Sequence, residues 1–249
     1  ALASFPKFSG KRLFNGSFTS GLETYVSDHF AWHDEWITAQ TYSELALGKK
    51  ERNNVYFMKN GGLAEKISEP DMTVVGKSIS GIQQFATDNG IMPYIMIVPT
   101  QAEIYSDMLP TDAPNPDQAE FINNVYSQLD GYAVPIDVYS VLSANRDDYI
   151  YYRTDHHWTQ LGAYYAYTAF CEAAGFEAVP LEQFQTGRYD TFLGSMYGFT
   201  EGYPQSEVLK QHPDYLEYYL PIADTHARYY ANGNLENGTP VSVVYTELG

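Results

Sequence analysis

The feature that most constrains this chain is a short apolar run, Tyr94 to Val98, with no polar residue in it. It has the length of a strand, and it does not alternate apolar with polar. A strand reads as continuously apolar when both of its faces are covered, as in a parallel sheet lying between helices. Tyr132 to Val138, which carries Asp137, reads as a second buried strand, and Tyr149 to Tyr152 as a third, shorter one. Segments of helical period separate them. Met72, Val75, Ile79, Ile82 and Ala86 recur at three- and four-residue steps, with Pro70 suited to a first helical position and Gly90 to a stop. Phe121, Val125 and Leu129 line a second helix closed by Gly131, and Thr159 caps a helix predicted over Gln160 to Ala174, stopped by Gly175. This alternation predicts an α/β layered fold with a mostly parallel sheet.

On this reading residues 1–249 form a single domain in three stretches. Residues 1–60 are an aromatic, turn-rich lead-in, in which Ser27 or Asp28 is placed to cap a helix from about Phe30 to Leu47. Asn54 to Met58, followed by Lys59-Asn60-Gly61-Gly62, reads as a strand and tight turn. Residues 61–186 are the α/β core. Residues 187–249 fade into aromatic loops and short strands, ending in a strand candidate at Val241 to Tyr245.

Charge and cysteine content narrow the function classes. With 31 acidic against 14 basic residues, the net charge is −17. Such a surface repels phosphate backbones and anionic lipid, so nucleic acid and charged membrane are poor partners, while a neutral glycan is not excluded. No run approaches the roughly 18 apolar residues that span a bilayer. A single cysteine, Cys171, allows no intrachain disulfide and reads as a small core residue of its helix.

The densest chemical signal is Tyr151-Tyr152-Arg153-Thr154-Asp155-His156-His157-Trp158-Thr159, between the third candidate strand and the helix that follows. Ligands of open α/β sheets bind beyond the carboxyl ends of strands, so the location suits a site. Asp155 and His157 are two apart. In a turn, an Asp at that offset can accept from one imidazole nitrogen and fix the tautomer, leaving the other nitrogen to take a proton. Trp158 could wall the site or stack on a sugar face. Tyr152 and His156 flank the pair, and Thr100 stands where the first buried strand exits. Arg153 could grip a carboxylate or phosphate, or pair with one of the many surface acids. Three other readings stay open for these residues. The His pair could be purely structural. Asp-His-His could hold a metal, although consecutive residues rarely converge on one ion. His29 and His33, one helical turn apart beside Asp28 and Asp34, are the better-spaced metal pair. The 23 tyrosines could build a glycan-stacking surface or sit half-buried with the hydroxyl in water.

The block Asp155-His156-His157-Trp158-Thr159, followed by Leu161-Gly162-Ala163-Tyr164-Tyr165-Ala166-Tyr167, resembles the signature of the DHHW protein family. That family is similar to the SGNH-like acetyltransferase domains that act on exported polysaccharides such as alginate. Phe5-Pro6, Asn15-Gly16-Ser17-Phe18, Ser27-Asp28-His29-Phe30, Val98-Pro99-Thr100 and Phe192-Leu193-Gly194-Ser195 extend the resemblance over nearly the whole chain. It implies an SGNH hydrolase-like layered fold and acyl transfer or ester hydrolysis on a cell-surface glycan, with no cofactor and no metal. His157 would be the base of a Ser-His-Asp triad, and Asp155 would orient it. Carbohydrate or acylated glycan is the implied partner, the implied location is extracellular or at the bacterial cell surface, and a membrane-tethering segment is expected upstream of Ala1. The alternative is a non-catalytic surface protein that binds glycan or peptide.

In those families the nucleophilic serine follows the motif in a Gly-Asp-Ser turn, which this sequence lacks. The expectation is that the sequence stops before the nucleophile strand and that these 249 residues are inactive on their own. Two internal serines are weaker candidates. Ser195 follows Gly194. Ser78 lies in Val74-Val75-Gly76-Lys77-Ser78, which is not a Walker loop because Asp71 stands at the required first glycine.

Overall fold

The structure, a computed structural model, describes residues 4–29, 43, 48–220, 222, 226–230 and 240–244. Its centre is a parallel strand pair, Tyr94–Met96 beside Val134–Ile136, with Tyr94 opposite Val134 and Met96 opposite Ile136. Side chains of the first run alternate between two cores. Ile95 and Ile97 pack with Ile79, Val125, Leu129 and Ala133. Met96 and Val98 pack with Val138, Leu142, Ala166 and Ala169. Helices Met72–Asn89 and Gln118–Gln128 therefore cover one face, and helices Val138–Ala144 and Gln160–Ala174 cover the other. Coverage of both faces accounts for the run's apolar character, although it is incomplete: Tyr94 is exposed and Ile95 to Val98 are half-buried.

The expected mostly parallel sheet is not found, and the protein is a mixed α/β structure of small sheets. Among the described residues the central pair alone is parallel. Glu51–Arg52, Val55–Phe57 and Leu63–Glu65 form an antiparallel three-stranded sheet. Gln185–Phe192 pairs antiparallel with Asp214–Leu220, and His226–Tyr230 with Pro240–Val244. The third candidate strand, Tyr149 to Tyr152, makes only an isolated antiparallel bridge between Tyr151 and Trp158. Its hydrogen-bonding groups are claimed by the loop that follows. The Tyr152 N–H donates to the His157 carbonyl, and the Thr159 N–H donates to the Ile150 carbonyl. Each backbone group that closes this loop is lost to a sheet ladder.

Local signals fared better. The Thr159 hydroxyl accepts from the Gly162 N–H, and Gly175 ends helix Gln160–Ala174 in the left-handed conformation at φ 72°. Gly162 lies so close to the preceding segment that a Cβ would fall 2.5 Å from the Ile150 carbonyl oxygen. This presses the helix start against the residues leading into the Asp-His-His-Trp block. Helix Met72–Asn89 begins after Asp71, whose carboxylate accepts from the Thr73 N–H, so Pro70 lies just outside it.

The stretch boundaries shift. The antiparallel sheet around Val55–Phe57 crosses the expected border at residue 60, and the Leu63 N–H donates to the Arg153 carbonyl, which fastens that sheet to the motif loop. Gly187 lies inside strand Gln185–Phe192, so residues beyond it are not merely loops; helices Ser195–Thr200 and Pro204–Gln211 lead to Asp214–Leu220. Ser27 and Asp28 fall within helix Ser17–His29 and not at a helix start. Apart from Ser43, which is helical, the helix predicted from Phe30 to Leu47 lies outside the described residues, as does His33.

Candidate active site

The motif loop folds back on itself between Tyr151 and Trp158, and this turn places Asp155 under its own downstream neighbours. One carboxylate oxygen, Oδ1, accepts from the His157 backbone N–H at 3.0 Å and faces His157 Nδ1 at 2.6 Å. The other, Oδ2, accepts from the Ser195 N–H at 2.9 Å and the Ser195 hydroxyl at 3.0 Å. Burial acts to raise the Asp155 carboxyl, but these bonds from Ser195 and His157 outweigh it and hold the group down at about 2. Asp155 is therefore ionised at neutral pH and can only accept, which assigns a proton to His157 Nδ1, so that in the neutral imidazole the lone pair is on Nε2. The His157 side chain is 67% exposed, and no described residue hydrogen-bonds to that nitrogen. The arrangement can orient an imidazole and accept a proton from a group arriving from solvent.

Gly194 makes the approach of Ser195 possible. A Cβ there would fall 2.3 Å from Asp155 Cβ and 2.5 Å from its Oδ2, so only glycine lets this backbone lie against the carboxylate. The Gly194 N–H donates to the Thr154 hydroxyl oxygen at 3.0 Å. Ser195 Oγ is also 3.2 Å from His156 Nδ1. The serine proton already goes to Asp155, so His156 is the donor in that contact.

The other singled-out residues are distributed as follows. Arg153 pairs with a buried acid and not a surface one: its Nε donates to Asp214 at 3.0 Å, and its Nη2 donates to the His212 and Pro213 carbonyls. Tyr152 is buried, with its hydroxyl donating to Gln160 Oε1 and its carbonyl accepting from Gln101 Nε2. Trp158 packs against the Val138–Leu142 core beside Leu161 and Tyr165. Thr100 is held by Gln118, its N–H donating to Oε1 and its hydroxyl accepting from Nε2. Ser78 lies exposed on helix Met72–Asn89 with its hydroxyl donating to the Val74 carbonyl. Ser195 is thus brought to the Asp155–His157 pair, and Thr100 and Ser78 are tied elsewhere.

Asp155, His156 and His157 present donor atoms within 4.8 Å of one another. For Asp155 to ligate an ion through Oδ1, it would have to release a 2.6 Å bond to His157. The donor set serves the hydrogen-bonded pair better than a cation.

Comparison with known proteins places this geometry in a family. Residues 54–237 match the family model described as DHHW protein. The chain belongs to the DHHW family. A crystal structure of a DHHW family protein from Eubacterium siraeum is 32% identical, with a TM-score of 0.57 over 69% of this chain and 58% of that one. The O-acetyltransferase domain of Pseudomonas putida AlgJ shares the fold at 21% identity and a TM-score of 0.53, over 68% of this chain and 66% of that one. Among curated proteins, the probable alginate O-acetylase AlgJ of Pseudomonas syringae pv. tomato is 25% identical over 236 residues, covering 87% of this chain and 60% of that protein. The DHHW chain thus spans less than two thirds of the length of that curated relative.

Sequence reasoning found the Asp155–His157 pair and missed what holds it. Gly194 carried a weak signal as part of the Phe192-Leu193-Gly194-Ser195 match. Asp214 carried none, because nothing in His212-Pro213-Asp214-Tyr215 marks an acid that will be buried.

Proposed function

We propose that this DHHW chain is the acyl-transfer part of an exported enzyme that adds or removes an acyl group on a cell-surface polysaccharide. His157 is the general base. Its Nε2 takes the proton of a serine hydroxyl as that oxygen attacks the acyl carbonyl, and it returns the proton to the leaving oxygen when the donor ester breaks. A sugar hydroxyl, or water, then attacks the acyl-serine with the same nitrogen as base. Asp155 holds the tautomer and stabilises the imidazolium.

The observation that carries this reading is the 2.6 Å bond between Asp155 and His157 Nδ1, together with an Nε2 left facing solvent. The fold shared with an O-acetyltransferase domain and the O-acetylase names of the curated relatives support the reaction class and the polysaccharide. The serine served by His157 is neither Ser78, bonded within its helix, nor Ser195, whose hydroxyl is turned to Asp155.

The test is hydrolysis of a chromogenic acetyl ester and acetyl transfer to oligosaccharides, run on this chain and its variants. Where turnover is measured, His157→Ala is expected to lower it by about 10²- to 10⁴-fold. Full activity in His157→Ala would sink the reading. Turnover by the 249-residue chain that Ser195→Ala or Ser78→Ala abolishes would overturn the assignment of the serine.

One observation favours the non-catalytic alternative. An open groove of about 540 Å³ is lined by Tyr164 and Tyr167 of helix Gln160–Ala174, by Phe184 just ahead of strand Gln185–Phe192, and by Tyr219 of strand Asp214–Leu220. Glycan or peptide binding without turnover, unchanged by His157→Ala, is the signature of that function.

A further inference from the structure

Asp214 is fully buried and takes no part in the chemistry proposed above. Four donors converge on it. The Thr154 N–H and hydroxyl reach Oδ2 at 2.8 and 2.6 Å, and the Tyr149 hydroxyl and Arg153 Nε reach Oδ1 at 2.5 and 3.0 Å. All of them belong to the six residues just ahead of Asp155. The two bonds from Thr154 have a consequence on the far side of that residue. A carboxylate only accepts, so the Thr154 hydroxyl must spend its proton on Asp214. Its oxygen is then left to accept the Gly194 N–H, at 3.0 Å. That bond seats Gly194 against Asp155 and delivers both donors of Ser195 to Asp155 Oδ2.

We infer that Asp214 is a positioning residue that sets the geometry of Asp155 by fixing the direction of the Thr154 hydroxyl. The role rests on the reading of Asp155 and His157 as the reactive pair. An Asn at position 214 would present one acceptor and one donor. If its amide nitrogen faced Thr154, it would oppose the Thr154 N–H and turn the hydroxyl proton toward the Gly194 N–H, donor against donor. Facing the other way, the nitrogen would oppose the charged Arg153 Nε–H, the worse of the two clashes, so the orientation that disturbs Thr154 is the one expected. The charged and titratable groups around Asp155 itself are His156, His157 and Tyr152, with Arg153 and Asp214 behind Thr154.

The test reads Asp155 directly by NMR, as the titration midpoint of its carboxyl carbon and the downfield Nδ1–H signal of His157. It compares the parent chain with Asp214→Asn, Thr154→Val and Thr154→Ser. The near-UV circular dichroism of each variant reports whether it is folded. In folded Asp214→Asn and Thr154→Val the midpoint should rise from about 2 toward the ordinary carboxyl range near 4, and the downfield signal should broaden or vanish. Thr154→Ser, which keeps the hydroxyl, should match the parent. An unchanged midpoint and signal in folded Asp214→Asn or Thr154→Val would overturn the inference, because a residue that merely fills the core would leave both in place. Should Asp214→Asn fail to fold, the contrast between Thr154→Val and Thr154→Ser decides, and identical spectra overturn it. These signals do not depend on turnover, so full acyl-transfer activity in His157→Ala would refute the proposed function while the control of Asp155 by Asp214 is still read on its own.

Discussion

Two carboxylates lie on either side of Thr154, and they are built for opposite purposes. Asp214 is enclosed completely, and its four donors are backbone or side chains fixed by the surrounding fold. Asp155 also has four hydrogen bonds, but one comes from an imidazole that is two-thirds exposed. The first site has one partner that reaches solvent, Arg153, and it is also tied to the His212 and Pro213 carbonyls. The second keeps one titratable partner at the surface while its other oxygen is clamped by Ser195. A rigid anchor and a reactive edge can therefore share one short loop, because Thr154 turns its N–H and hydroxyl to one carboxylate and its oxygen to the backbone that covers the other.

The contrast can be broken most strongly at the anchor. Asp214→Ala leaves the Arg153 guanidinium, the Tyr149 hydroxyl and both Thr154 donors without their acceptor, and is expected to cost about 3–5 kcal/mol in denaturant unfolding. In the parent chain burial and the bond to Asp214 both push the Tyr149 hydroxyl well above its usual range, so it stays a donor to Asp214 even at alkaline pH. Gly194→Ala comes next. Its Cβ must displace either the Asp155 side chain or the start of helix Ser195–Thr200, with an expected loss of about 1–3 kcal/mol and a visible rise in the Asp155 titration midpoint.

Acid sharpens the comparison at the reactive edge. The Asp155 carboxyl is held below its unfolded value, so the stability it contributes is complete above about pH 4 and is lost as the pH falls through about 2. The parent chain should lose on the order of 2 kcal/mol across that window that Asp155→Asn, lacking the titration, does not lose; parallel acid-unfolding curves for the two would refute it. The smallest effect belongs to a serine outside both sites. Ser78→Ala, on an exposed helix face, should change the unfolding free energy by less than about 0.5 kcal/mol and leave the His157 spectrum untouched.

Much of the local architecture was legible. The apolar positions from Met72 to Ala86 gave helix Met72–Asn89, and the Thr159 cap and the Gly175 stop gave helix Gln160–Ala174 to the residue. The continuous run at Tyr94 gave a strand covered on both faces. The larger parallel sheet was misread because Tyr149 to Tyr152 has the composition of a strand while its backbone bonds are taken by Trp158-Thr159 and His157, a competition that residue type does not reveal. The same limit applies to the site. Arg153 looked like a partner for a surface acid, and only packing could show that its acid is the buried Asp214.

By itself, the sequence determined whatever depends on neighbours a few residues apart: helix phases and caps, the apolar strand, and the reach of Asp155 to an imidazole two positions on. Tertiary structure decided what lies forty and sixty residues away, namely that Gly194-Ser195 covers one oxygen of Asp155 and that Asp214 sits beneath Thr154. The physical reason is that a short-range hydrogen bond needs only the geometry of one turn. Contacts across such separations exist only where packed helices and strands hold two backbones within three ångströms of each other, and no single residue type announces that.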